Sequence, residues 1–254
     1  MVHYEMNRKN FNPSAIVNLT DWANLENADG MAFPDTPAKL RDLVSGDFSA
    51  VTSSLDHLYN NLLNDGVVYS ATVPAFRYVT ALLGDLPSRA ALIPSWERGK
   101  FPLRGKLLTW LANVAFDVSV GQEQRIREWG KYSPTEPFPN FKDIRSIYPE
   151  AFPSVASHFN DSDLRVVEVA LVVAVRFLES PALAVHRGRL TPLVENILAS
   201  SSNTWHRILA SQALNAWKKG RVLIESVADS ISSEKYGRVC NSQEKGGSID
   251  EPPF

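Results

Sequence analysis

Cysteine is almost missing from this chain: Cys240 is the single one in 254 residues. One thiol excludes an internal disulfide framework and any metal site built from several cysteines. Long apolar runs are missing too. No uninterrupted stretch approaches bilayer length, and the N-terminal MVHYEMNRKN lacks the apolar centre of a signal peptide. A cytoplasmic protein with no membrane partner is the simplest expectation. Net charge is also small, −2 with the histidines neutral, which gives no argument by itself for a nucleic-acid partner. Its distribution is uneven. Residues 15–65 carry Asp21, Glu26, Asp29, Asp35, Asp42, Asp47, Asp56 and Asp65 against Lys39 and Arg41. Residues 180–224 carry Arg187, Arg189, Arg207, Lys218, Lys219 and Arg221 against Glu195. Such a split is either chance variation over solvated faces or the mark of an elongated molecule with charge-distinct ends.

Catalytic signatures are absent as well. The sequence has no P-loop, no GxGxxG and no GxSxG, and His3, His57, His158, His186 and His206 show no zinc-type spacing with one another or with acids. Asp161-Ser162-Asp163 could be imagined as paired carboxylates, but a helix cap explains it better. No catalytic, cofactor-binding or metal-binding residue is therefore expected. Tyr69, Trp110, Trp205 and Trp217 stand at apolar helical spacing, as core residues do, and not as a base-stacking platform.

What is present is helical periodicity. The most apolar stretch, NDSDLRVVEVALVVAVRFLES, contains VALVVAV (Val169–Val175), which alone suits a buried strand. The flanking charges decide for a helix. At about 100° per residue Arg165, Glu168, Arg176 and Glu179 fall within roughly 80° of arc, interrupted by Val172, whereas a strand would split them between faces. Asp161 or Ser162 offers the N-cap and Pro181 stops the continuation. A helix apolar over most of its circumference needs neighbours on several sides.

Along the chain, residues 1–14 read as a polar arm, and Ala15–Ala28 as a helix ended by Gly30. Asp35 or Thr36 with Pro37 opens the next helix, and Phe48–Asn64 is its partner, closed by Gly66. Thr72-Val73-Pro74 opens a further pair. Its second helix carries Leu107, Trp110, Leu111, Val114, Ala115 and Val118 after a Gly/Pro-interrupted loop. Residues 119–143 read as an irregular insertion around a short helix at Glu123–Trp129. A third pair starts near Tyr148-Pro149 and ends with the Val-rich helix. The fourth ends with Trp205–Lys219, and residues 221–254 form a polar tail.

The turns between paired helices supply a ruler. Asp47, Asp85, Asp161 and Asn203 follow one another at 38, 76 and 42 residues, and Arg89, Arg165 and Arg207 each stand four residues after the last three. Two helices per unit of about 40 residues match a helical-repeat array. The fold expected is all-α, a right-handed α-α superhelix of HEAT/armadillo type over residues 15–220. Three motifs narrow this: DW..L..A.G (Asp21 to Gly30), DTPAKLRDL (Asp35–Leu43) and L..LY.NL...G.VY.AT.PA (Leu55 to Ala75). With them the chain resembles the HEAT-like repeat proteins of actinobacterial genomes. That resemblance implies a fold and carries no catalytic residue across.

In arrays of this kind the polar faces of the second helices line the concave surface. His57, Asn61, Lys106, Asn113, Arg176, Arg207, Asn215 and Lys218 are the candidate binding residues there. Arg165 and Arg207 are expected as struts between units. The leading expectation is a non-enzymatic protein-interaction scaffold, or a regulatory or immunity-type partner that masks another protein. The alternative is a nucleic-acid-binding protein resembling HEAT-like DNA glycosylases, supported by the basic C-terminal segment and by Arg98–Lys106.

Overall fold

A computed structural model describes residues 12–64, 66–84, 92–95, 99–128 and 138–221. Helices dominate. They are α1 (Pro13–Leu19), α2 (Asp35–Asp42), α3 (Phe48–Asn60), α4 (Thr72–Leu83), α5 (Leu103–Asp117), α6 (Val120–Glu128), α7 (Pro139–Ala156), α8 (Leu164–Phe177), α9 (Arg187–Ser200) and α10 (Thr204–Lys218). Strands occur, among the described residues, as three antiparallel hairpins: β1 (Glu26–Asn27) with β2 (Gly30–Met31), β3 (Leu63–Asn64) with β4 (Val67–Val68), and β5 (Leu92–Ser95) with β6 (Gly99–Pro102).

The helices form two rows. α3, α5, α8 and α10 are successive neighbours in one, and α1, α4 and α7 in the other. One aromatic residue from each of four helices ties the rows together. Phe76 of α4 lies 6.4 Å from Trp110 of α5, 6.3 Å from Tyr148 of α7 and 6.0 Å from Phe177 of α8. Tyr148 and Phe177 stack at 4.4 Å. Rings of this size bury the largest apolar areas available to side chains, so the four fix how the rows seat on each other.

The Val-rich stretch is the helix its charges indicated. α8 is buried on nearly every side, against α5, α7, α9 and α10. Its N-cap is Asp163, whose carboxylate accepts from the Arg165 amide at 3.0 Å, and not Asp161 or Ser162. Asp161 sits one tier earlier and accepts from the Asp163 amide at 2.9 Å. The same two-tier turn occurs twice more. Ser45 accepts from the Asp47 amide at 3.2 Å and Asp47 caps α3; Ser201 accepts from the Asn203 amide at 3.0 Å and Asn203 caps α10. The equivalent residues are thus Asp47, Asp163 and Asn203, which shifts the third mark of the sequence ruler by two positions. Asp85 and Arg89 lie outside the described residues.

Other boundaries move for local reasons. The first helix stops at Leu19, because Thr20 and Leu25 turn extended and the Trp22 indole donates to the Val17 carbonyl at 2.8 Å. Residues 26–31 then form a hairpin, whereas the helix was expected to run to Ala28 and to be ended by Gly30. α3 ends at Asn60, and Gly66, at φ 78, turns the β3–β4 hairpin instead of capping a helix. That backbone angle is unfavourable for residues with a Cβ. α7 begins at Pro139, with Pro149 and Pro153 inside it. Both prolines lie on the exposed side of the helix. The irregular stretch expected at 119–143 contains α6 and the first turn of α7, leaving residues 129–137 outside the described part, together with residues 1–11 of the arm and 222–254 of the tail.

Candidate binding surface

The row of second helices presents its polar strip unevenly. On α5 Lys106, Thr109 and Asn113 recur at helical spacing and are partly exposed, followed by Phe116 and Asp117. On α8 Arg165 and Glu168 are partly exposed, and on α10 so are Arg207 and Ser211, with Asn215 and Lys218 exposed beyond them. These stretches are neighbours because their helices pack side by side. Six of the eight candidate residues therefore reach solvent at least in part, and two of those, Lys106 and Asn113, share one helix face.

Arg176 does not reach solvent. Its side chain is 0% exposed, and its guanidinium carbon lies 5.1 Å from the Phe116 ring and 5.6 Å from the Trp205 ring. Those two rings meet edge-on at 6.1 Å and lie against the Arg176 guanidinium. Glu179 approaches Arg176 at 3.8 Å, and its other oxygen accepts from the Val120 amide at 3.3 Å. A cation in this position gains from ring faces as well as from an anion. Nearby, at the end of α5, burial pushes the Asp117 carboxyl up to about 7 against the pull of Arg176.

His57 is also interior, 7% exposed. One ring nitrogen stands 2.9 Å from the Thr36 hydroxyl, which in turn accepts from Asn27 at 3.2 Å. Burial holds His57 below its usual range, with Lys39 adding to the effect. Asn61 is partly exposed but engaged: its amide donates to Asp29, and its carbonyl accepts from the Ala28 amide at 2.9 Å. Helical periodicity gave His57 the right helix and the wrong side. The signal for its burial is the Asn27–Thr36–His57 chain, whose members come from three elements and share no sequence spacing.

Two polar junctions join consecutive second helices. Between α5 and the turn before α8, Arg104 donates to both oxygens of Asp161, at 2.6 and 2.8 Å. This fork geometry is the strong form of the carboxylate–guanidinium contact. The guanidinium holds the Asp161 carboxyl well below the usual range. His158 completes the junction, with Nδ1 3.5 Å from Asp161 and Nε2 3.1 Å from the Leu83 carbonyl. Arg165 pairs with Asp163 at 2.6 Å and lies over the Phe101 ring at 5.0 Å. Phe101 in turn lies against Gly105, where an added Cβ would come within 2.4 Å of the ring. Between α8 and α10, Glu168 accepts from the Ser201 hydroxyl and meets Nδ1 of His206 at 2.5 Å.

Of the two expected struts, then, Arg165 reaches the preceding unit through a ring. Arg207 donates to the Ser201 carbonyl at 2.6 Å and to Thr204, inside its own turn. The ionic strut is Arg104, which no equivalent arginine elsewhere in the sequence announces.

Among the described residues no group of three metal-capable side chains converges, and no helix is long and apolar enough to cross a membrane. An open cleft of about 330 Å³ lies between α1, α4 and α7, lined by Thr20, Leu25, Ser70, Arg77, Asn140 and Asp143 among others. No protein-family model, curated protein or solved structure matches the chain.

Proposed function

We propose that this chain is a non-catalytic protein-binding module, its helix pairs stacked as HEAT-type units in a right-handed superhelix. The paired helices in two rows and the two-tier turn at Asp47, Asp163 and Asn203 support the repeat reading. The observation that carries the binding role is the partly exposed polar strip on consecutive second helices: Lys106, Thr109 and Asn113, then Arg165 and Glu168, then Arg207 and Ser211. It offers neutral donors and acceptors flanked by charges of both signs, which suits the polar rim of a protein partner. The compartment proposed is the cytoplasm, and the masking of a second protein is the regulatory form of this role.

The experiment is affinity capture with the whole chain, followed by titration of the captured protein against variants. Lys106→Glu with Asn113→Arg is expected to weaken binding at least tenfold while leaving the melting transition in place. Unchanged affinity for both variants overturns the strip as the site. The nucleic-acid reading rests on the basic residues of α9 and α10. It draws nothing from Arg104 and Arg165, which are bound to Asp161 and Asp163. Anisotropy with labelled duplex at low ionic strength eliminates it if no shift appears.

A further inference from the structure

The charge asymmetry of the sequence becomes two compact, oppositely charged patches, each with an apolar centre. At one end of the rows, Glu26, Asp29 and Asp35 are exposed around Met31 and Phe33, which are 66% and 56% exposed. The β1–β2 hairpin and the start of α2 hold all five within ten residues of chain. At the other end, α9 and α10 pack against each other across the short Ser201–Asn203 turn, so the start of α9 lies beside the end of α10. That topology gathers Arg187, Arg189, Lys218, Lys219 and Arg221 next to Val185, which is 80% exposed.

The ion pairs found among the described residues all lie between residues 104 and 206 of the chain. None involves a charge of either patch. α2 and α3 pack on α1 and α5, and α9 and α10 on α8, so the patches belong to opposite ends of the molecule.

We propose that a second copy of this chain docks antiparallel, the acidic Met31–Phe33 patch of each copy on the basic Val185 patch of the other. An apolar centre ringed by charge is the usual anatomy of a specific contact. Opposite ring charges select the partner and speed the encounter, while like ends repel. The antiparallel arrangement makes the contact twice and closes a two-fold dimer, so no end is left to continue a fibre. Exposed ion pairs are weak and screened by salt, so the dimer forms at high protein concentration and low ionic strength. This association is separate from the polar strip on the second helices, and neither depends on the other.

Sedimentation equilibrium of the whole chain tests it, at about 20 mM and about 500 mM salt, where the screening length shrinks several-fold. The expected result is a monomer–dimer equilibrium in low salt whose dissociation constant rises at least tenfold in high salt. Two variants extend the test: Glu26→Lys/Asp35→Lys, and Arg189→Glu/Lys219→Glu/Arg221→Glu, which reverse the net sign of the acidic and the basic patch respectively. Each alone has two like-charged ends and is expected to stay monomeric, and an equimolar mixture is expected to give the dimer mass again. Circular dichroism melts confirm that both variants are folded. Monomer at every concentration overturns the proposal. So does a dimer that neither variant weakens, or a mixture that fails to associate. Binding of duplex DNA or a polylysine probe to these patches by a protein that never dimerises overturns it as well.

Discussion

The junction between α5 and α8 and the junction between α8 and α10 occupy equivalent places and use opposite chemistry. In both, the residue two before the N-cap reaches back to the preceding second helix. At the first it is Asp161, an acceptor gripped by Arg104; at the second it is Ser201, a donor to Glu168 with His206 alongside. The shared position performs one backbone task, accepting the amide of the capping residue, and is free to vary in everything else. The difference teaches that the two-tier turn recurs as a backbone device, while each junction is joined by whatever complementary pair the neighbouring helix supplies.

Arg104→Ala is the strongest way to break this comparison. It leaves Asp161 charged and largely buried, a loss of roughly 3–5 kcal/mol, read from urea unfolding. Arg104→Met with Asp161→Ser copies the chemistry of Ser45 and Ser201, keeps the acceptor for the Asp163 amide, and is expected to recover more than half of that loss. A double variant no better than Arg104→Ala would mean that the turn needs the carboxylate itself.

The converse exchange sharpens the point. Ser201→Asp sets a carboxylate against Glu168 and is expected to cost about 1–2 kcal/mol, from lost hydrogen bonding and like-charge repulsion. Adding Glu168→Arg restores the sign pairing of the first junction. Thermal melts of the single and double variants measure the coupling.

Acid titration separates the first junction from the buried His57 chain next. The folded Asp161 carboxyl is held below its unfolded value of 3.8, so its stabilisation is complete above that pH and is lost as pH falls further. His57, held below 6.5 by burial, has the same sign in a higher window: stability declines as pH drops below 6.5, because the unfolded chain takes up the proton more readily. Unfolding midpoints are measured from pH 8 to pH 2 and read as differences from the variants, because Asp117, raised to about 7, gains stability as pH falls through its own window. His57→Gln is expected to lose the decline below pH 6.5, and Asp161→Ser with Arg104→Met to weaken the decline below 3.8. The smallest effect belongs to His206→Gln, about 1 kcal/mol or less, because Ser201 still donates to Glu168 and the site is partly open to water.

Sequence by itself determined most of the helices, because periodic apolar positions, caps and breakers act over a few residues. The arc of Arg165, Glu168, Arg176 and Glu179 made α8 a helix against its β-branched content. Pro37 with Asp35 and Thr72 to Pro74 marked starts that the structure keeps, whereas α8 ends at Phe177, four residues before Pro181. Caps were legible as residue types and ambiguous as positions: Asp161, Ser162 and Asp163 can each accept an amide, and the tier that caps is chosen by what else each must bind. Asp161 is taken by Arg104, so Asp163 caps.

Tertiary structure decided the side of each polar residue. Arg176 lies on the charged arc of α8 and is interior because Phe116 and Trp205, far away in sequence, close over it. His57 is interior because Thr36 and Asn27 arrive to satisfy its ring. Lys106 and Asn113, also on a polar helix face, stay partly exposed. Helix formation depends on contacts a turn apart, whereas burial depends on which helix arrives next, and that information is spread over the whole chain.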